Sequence, residues 1–369
     1  MAKTAFPHLH AVILCEDYGE RLWPIARKDD PSCLAPVEPG SPETLLAAAA
    51  KRCARFTEYP LHVVTAAALA DAVQDELAGC EAAVDAGVDM MVLPLQRGTA
   101  FALSLACARI RRSDPQAVVL VLRADTRMDL DDRWDRIIYR AYQFALQDRL
   151  VVLGGQQEEK CVDFSYIRRG RPLDGEGEAY EVKAFGADAP ENIARRLCAQ
   201  GAYWYTGVMV ARAAAVLGEM SHAGEMNQTP DSGASDRIAA TARFLALLEP
   251  SALLAKDAAE VINVLPDVSY EKAMLEVSRK VTVLPTTIPF STMRSLSDLD
   301  TFAKPTREGN RNIDDVATID HCRNVTVYSQ DASRKIVAVG LRDVSVIELD
   351  DMTLVVNKAY LGDLGDLQD

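Results

Sequence analysis

The chain has 369 residues, 49% of them hydrophobic and 25% charged, with a formal net charge of −14 and a pI near 4.9. That length accommodates one large α/β domain plus a smaller appendage. The acidic balance excludes a nucleic-acid backbone or an anionic membrane surface as the main partner, although a local cationic cluster could still receive a nucleotide. No apolar run reaches the roughly 20 residues needed to span a bilayer. The first ten residues, Met1 to His10, hold no apolar signal core, so a cytoplasmic protein without a membrane or nucleic-acid partner is expected. The eight cysteines, Cys15, Cys33, Cys53, Cys80, Cys107, Cys161, Cys198 and Cys322, are scattered without a C-x-x-C pair. They read as small buried hydrophobes in a reducing compartment.

In chain order, Leu9–Leu14 is a short apolar run of the kind that forms a buried parallel strand. Helical spacing follows over residues 44–56, then a strand over 61–65 and an alanine-rich helix over 66–77. Met90–Pro94 predicts a third strand, 99–112 a helix, 117–122 a fourth strand, 133–147 a helix and 150–153 a fifth strand. The acidic run Asp129 to Asp132 predicts a solvated helix start, stabilised by the helix dipole. Alternating units of this length predict a Rossmann-like α/β domain with a mixed, mostly parallel sheet. Ligands in such sheets bind beyond the carboxyl ends of the strands, which directs attention to the residues after Leu14, Leu93 and Leu122. From about Asp163 shorter strands suggest a substrate-covering insertion, and 212–262 reads as helices with a polar break near 223–236. Short β runs at 324–328, 335–339, 344–347 and 353–356 predict a second, C-terminal domain over 305–369. It is expected to be β-solenoid-like, of the left-handed β-helix kind, following a domain of residues 1–304.

Seven segments in this order carry a family resemblance. Val12 to Pro24, VILCEDYGERLWP, resembles the I-L-A-G-G-x-G-T-R-L-W-P signature of mannose-1-phosphate guanylyltransferases, and Ala26 to Pro31 is similar to the S-R-K-x-x-P that follows it. Arg97 to Ala102 resembles R-N-T-A-P-A, and Arg123-Ala124-Asp125 falls where the family has P-S-D or P-A-D. Phe164 to Ile167 looks like the G-Y-I segment, Trp204 to Gly207 like W-N-S-G, and Ser269 to Glu276 like S-I-D-Y-A-V-M-E. The resemblance implies the sugar-nucleotidyltransferase fold and the reaction of GTP with mannose 1-phosphate to give GDP-mannose and diphosphate. It also implies Mg²⁺ as cofactor where the protein is active.

Such a transfer brings two highly charged anions together. The site must offer backbone N–H groups, cationic side chains and carboxylates for Mg²⁺. A glycine-rich loop supplies the first because only glycine lets the backbone approach phosphate oxygens closely. In this sequence the family's paired glycines fall on Glu16 and Asp17, a small residue on Tyr18 and a threonine on Glu20, leaving Gly19 and Arg21. The lysine after the proline is Ser32, the E-K-P segment falls on Ala187-Asp188-Ala189, and the second metal aspartate is Thr292.

Two readings stand for most of the candidate residues. Arg21 is a triphosphate contact and the catalytic candidate, or an ion-pair partner of Glu16, Asp17 or Glu20. Asp125 is the metal ligand, or a helix N-cap. Gly98, Thr99 and Ala100, with Gly19 and Arg21, form the nucleotide-binding set, but Thr99 could equally cap a helix. Tyr166, Trp204, Thr206, Gly207 and Glu271 form the sugar-binding set. Against this, Trp204 and Tyr205 read equally as strand packing, and Ser269 with Glu271 as a helix-capping arrangement. The losses around the phosphates lead to an expected guanylyltransferase-like protein with impaired or absent catalysis. It would be a sugar-nucleotide-binding or assembly subunit, a homo- or hetero-oligomer that could pair with an active paralogue. The alternative is an active mannose-1-phosphate guanylyltransferase.

Overall fold

The structure is a computed structural model. It describes the chain apart from residues 1–5, 16–21, 27–30, 39–40, 157–164, 176, 187–192, 194–195, 198, 227–233, 293–294, 332, 362–363 and 365–369. The chain forms two compact units. The first comprises Met1–Glu16, Ala49–Ala124 and Met128–Phe290, the second Asp17–Ala48, Asp125–Arg127 and Ser291–Asp369.

The first unit is built on strands β1 (Leu9–Cys15), β2 (Leu61–Ala66), β3 (Val88–Leu93), β4 (Val118–Arg123), β6 (Leu150–Gly155), β7 (Tyr166–Pro172), β8 (Tyr180–Gly186), β9 (Tyr203–Arg212) and β10 (Val281–Thr286). A further short strand, β5 (Thr126–Met128), follows β4. The nine form one sheet in the order β3-β2-β1-β4-β9-β6-β10-β8-β7. β3, β2, β1 and β4 pair in parallel, as do β6 and β10. β9 and β8 run against their neighbours. The α/β class and the mixed sheet are therefore as the alternation predicts. β1, β2 and β6 are buried along their whole length and β4 up to its last residue. Uninterrupted apolar runs such as VILC and VVLVL are what a strand covered on both faces requires.

One expectation changes. Residues 203–212 do not belong to a covering insertion: β9 inserts between β4 and β6 in the middle of the sheet, with all but its last residue buried. Its sequence, YWYTGVMVAR, carries apolar residues on both faces, which suits a central strand. The β7–β8 hairpin occupies the sheet edge.

Helices α1 (Leu45–Ala54), α2 (Ala70–Gly79), α4 (Gly98–Ser113) and α5 (Asp132–Ala145) follow the predicted spans, with the short helix α3 (Glu81–Ala86) an addition to them. So do α6 (Ala213–Met226), α7 (Ala234–Leu245), α8 (Pro250–Leu253) and α9 (Lys256–Asn263). α4 is buried over most of its length, and its apolar residues join Val12, Leu14, Val64, Met91 and Leu93 in the main core. The acidic run before α5 works as predicted: Asp131 is the N-cap and accepts from Arg133 N at 2.8 Å. Cys15, Cys33, Cys53, Cys80, Cys107 and Cys322 are free and buried, and burial pushes the Cys53 thiol up to about 12. Cys161 and Cys198 lie outside the described residues. No helix among the described residues is long and apolar enough to cross a membrane.

In the second unit, Leu22, Ala26, Ala35 and Leu45 share a core with Leu296, Leu299, Tyr328, Ile347 and Leu349. β5 pairs with the short strand β11 (Phe290–Thr292) in a two-stranded sheet. The C-terminal strands are β12 (Arg311–Asn312), β13 (Ala317–Asp320), β14 (Thr326–Ser329), β15 (Ile336–Val339), β16 (Val344–Glu348) and β17 (Thr353–Asn357). β12, β14 and β16 pair in parallel, β13 pairs in parallel with β15, and β17 closes the sheet antiparallel to β16. Ala317 pairs with Ile336, Thr326 with Ser345 and Arg323 with Arg342, each nineteen residues on.

Candidate active site

In the first unit the predicted site residues gather at the carboxyl ends of the strands, where α/β sheets bind ligands. Gly98 opens α4 directly after β3, with φ of 68°. A Cβ there would lie 2.4 Å from the carbonyl oxygen of Val268, so only glycine admits that backbone. The close approach lets Ala100 N donate to Val268 O at 3.1 Å. Thr99 does not cap α4. The N-cap is Arg97, which makes no side-chain cap, and the Thr99 hydroxyl accepts instead from Tyr270 N at 3.1 Å. Residues 98–100 thus grip the segment 268–270 and bring it beside the helix start.

Tyr270 is fully buried and shares a 2.7 Å hydrogen bond with the hydroxyl of Tyr205, the two rings meeting edge to face. Burial, with Tyr205 and Glu271 nearby, drives the Tyr270 phenol well above its usual range, against the pull of Arg123. It stays a protonated hydroxyl and can donate. Glu271 follows in a π-helical turn, Glu271–Leu275. It is 4% exposed, and its Oε2 has no hydrogen-bond partner. A sealed carboxyl oxygen without a donor is costly, so this atom would gain from a hydroxyl or N–H supplied by a ligand. The capping reading of the segment holds only weakly, since Ser269 Oγ accepts from Lys272 N at 3.4 Å.

The sugar-binding set divides. Tyr205 faces Phe185 and Tyr270 on the α4 side of the sheet. Trp204 and Thr206, its neighbours along β9, point to the opposite face. Both are fully buried, and Thr206 Oγ1 donates to Leu153 O at 3.1 Å. They are strand packing rather than an open stacking platform. Gly207 has φ of 80° in the bulge where the β6–β9 register shifts between Val152 and Gly154. Tyr166 pairs with Trp204 and Gly186, and its ring lies where a Cβ on Gly186 would be 2.4 Å away. Of the five residues, Glu271 is the one that presents an unused buried carboxyl oxygen. Tyr270, absent from the sequence-derived set, is the hydroxyl that joins the two halves. Its only signal was its place beside Glu271.

In the second unit, Asp125 is buried and accepts from the Thr126 hydroxyl at 3.2 Å. The N-cap reading fails because strand β5, not a helix, begins at Thr126. Among the described residues no three His, Cys, Asp or Glu side chains converge to hold a metal ion. One carboxylate already shared with a hydroxyl fits Mg²⁺ poorly. Ser32, where the resemblance places a lysine, is buried in the short 3₁₀ turn Ser32–Leu34. Gly19 and Arg21, with Glu16, Asp17, Tyr18 and Glu20, lie outside the described residues, as do Ala187, Asp188 and Ala189.

Comparison with known proteins agrees with this architecture. The pattern of the family described as "Nucleotidyl transferase" matches residues 10–232. Mannose-1-phosphate guanylyltransferase of Escherichia coli K12 is 27% identical over 282 residues, 75% of this chain, but that match spans only 56% of the E. coli protein. The Salmonella typhimurium mannose-1-phosphate guanylyltransferase RfbM is 24% identical over 364 residues, 97% of this chain and 71% of that protein. A Thermus thermophilus crystal structure, titled mannose-1-phosphate geranyltransferase, superposes with a TM-score of 0.74 at 22% identity, covering 98% of both chains. With its fold and more than half its length matched, the chain belongs to the nucleotidyl transferase family, and the relatives it resembles there are mannose-1-phosphate guanylyltransferases.

Proposed function

We propose that the protein is a mannose-1-phosphate guanylyltransferase homologue that holds a sugar nucleotide without efficient nucleotidyl transfer, serving as a binding or assembly subunit. The observation that carries this reading is the exchange of phosphate-handling residues for acids and short neutral side chains: Glu16, Asp17 and Glu20 in the sequence that follows Cys15, and buried Ser32 for a lysine. A carboxylate within about 4 Å of a phosphate charge costs roughly 4 kcal/mol at an effective dielectric near 20, about a thousandfold in affinity. The first unit by itself retains polar groups for a sugar. Glu271 has a bare buried oxygen beside the protonated Tyr270, a donor–acceptor pair suited to hydroxyls.

Parallel pairing at nineteen-residue intervals supports reading residues 311–357 as coils of a short β-solenoid. Its open strand edges support association with a second copy or an active paralogue.

The test is direct. Purified protein is incubated with GTP, Mg²⁺ and mannose 1-phosphate, and diphosphate release is followed; the expected result is turnover far below about 1 per second. In parallel, GDP-mannose is titrated without metal, with binding in the micromolar range expected. Turnover at ordinary enzyme rates would overturn the proposal in favour of an active guanylyltransferase. Absence of any GDP-mannose binding would overturn the sugar-nucleotide pocket.

A further inference from the structure

At the opposite rim of the sheet from the candidate site lies a row of polar side chains that nucleotidyl transfer does not use. His10 on β1, His62 on β2 and Asp89 on β3 occupy the face whose next members, Val12, Leu14, Val64, Met91 and Leu93, pack in the core with α4. Asp114, the C-cap of α4, closes the row. The contacts form a chain. His10 Nε2 lies 3.2 Å from Asp114 Oδ2, His10 Nδ1 lies 3.2 Å from His62 Nε2, and His62 Nδ1 lies 2.9 Å from Asp89 Oδ2. His10 is 3% exposed and His62 8%. His8 Nδ1 also reaches Asp114 Oδ2, at 2.9 Å, and the His10 ring stacks on Tyr59 at 3.8 Å.

Counting protons along this chain gives a definite result. Three contacts between four groups need three protons, because ionised carboxylates and bare imidazole nitrogens only accept. Two neutral imidazoles carry two. With each ring donating to its carboxylate, two lone pairs would face each other across 3.2 Å. One added proton completes every contact. A second would set two N–H groups against each other.

We propose that His10 and His62 together hold one proton more than two neutral rings, suspended between Asp114 and Asp89, and that this makes the β1–β2–β3 side of the sheet most stable near mildly acidic pH.

The surrounding charges agree with that count. Asp89 is held below the usual carboxylate range by the hydrogen bond from His62, against burial and with help from Arg109. At Asp114 burial opposes ionisation, but bonds from His8, His10 and Gln116 N outweigh it. Both ends are thus acceptors. His10 is pushed below its usual value, first by burial and further by His62 and His8, against the pull of Asp114. The added proton belongs to the His10–His62 contact as a unit, completing it while each ring donates to its own carboxylate. The other charged neighbours are few. Arg109 on α4 balances Asp89 and is itself influenced by Arg112 and Glu249, while Glu58 acts on Tyr59.

The pair then shapes stability in opposite directions on the two sides of the ordinary histidine value. Free histidine titrates at about pH 6.5. The unfolded chain protonates His10 below that value while the folded chain refuses the proton, so stability falls as pH drops. Above it the unfolded chain releases its protons while the folded pair keeps the one its three contacts require, so stability falls as pH rises. Each limb changes the folding constant by up to about tenfold per pH unit.

The full chain labelled with ¹⁵N only in its five histidines tests the count without mutation. At about pH 6.5, the spectrum should show one imidazolium and one neutral ring for His10 and His62. Two neutral rings, or two cations, would overturn the proposal. Urea midpoints from about pH 5 to about pH 9 should trace a maximum in the wild type. His62→Gln, whose amide donates to His10 Nδ1 without an extra proton, should lose the alkaline limb and keep the acid one. Equal alkaline limbs in both proteins would overturn the stability claim.

Discussion

At the scale of single residues, the buried carboxylate of Glu271 and its neighbour Tyr270 hold the clearest conflict between stability and use. A carboxyl oxygen sealed without a donor destabilises the ligand-free protein, and such defects concentrate where a ligand supplies the missing partner. Glu271→Gln keeps the shape and removes the charge. The expected outcome is a gain of about 1 kcal/mol in unfolding free energy with at least about a tenfold loss of GDP-mannose affinity. Denaturant melts and calorimetric titration of the variant check the two halves independently. Thr99 teaches a related lesson. Its position at a helix start suggested a cap, yet its hydroxyl accepts from a backbone N–H 171 residues away. Asp125 likewise looked like a cap until β5 was seen to follow it. Local sequence cannot rank a capping role against a partner supplied by distant chain. The pair His10 and His62, 52 residues apart, was invisible for the same reason.

At the scale of elements, periodicity was read more securely than placement. The spans of β1, β2, β4, α4 and α5 follow from apolar runs and 3.6-residue spacing, and each lies within a few residues of its expected bounds. The place of β9 does not follow, because its neighbours β4 and β6 are set by pairings far apart in sequence. The docking of α4 against residues 268–270 also depends on a long-range approach, and Gly98 makes it possible. Gly98→Ala would put a side chain at positive φ and drive a Cβ into the Val268 backbone. Unfolding measurements should show a loss of about 3 kcal/mol. The same displacement would draw Tyr270 and Glu271 out of place, so ligand affinity should fall even at temperatures where the variant stays folded.

At the scale of the whole molecule, the insertion of β9 fixes when the β4 and β6 parts of the sheet can join. Until Tyr203–Arg212 leaves the ribosome, β4 and β6 have no partner between them. The nascent chain would then expose VVLVL and LVVLGG as bare apolar edges, the kind of template that nucleates aggregation. A fragment ending at about residue 200 should therefore precipitate or stay chaperone-bound, and one extended past β10, which covers the other edge of β6, should be recoverable in soluble form. Expression of the two fragments side by side, scored by sedimentation, would show whether late-arriving strands govern how this chain escapes misfolding during synthesis.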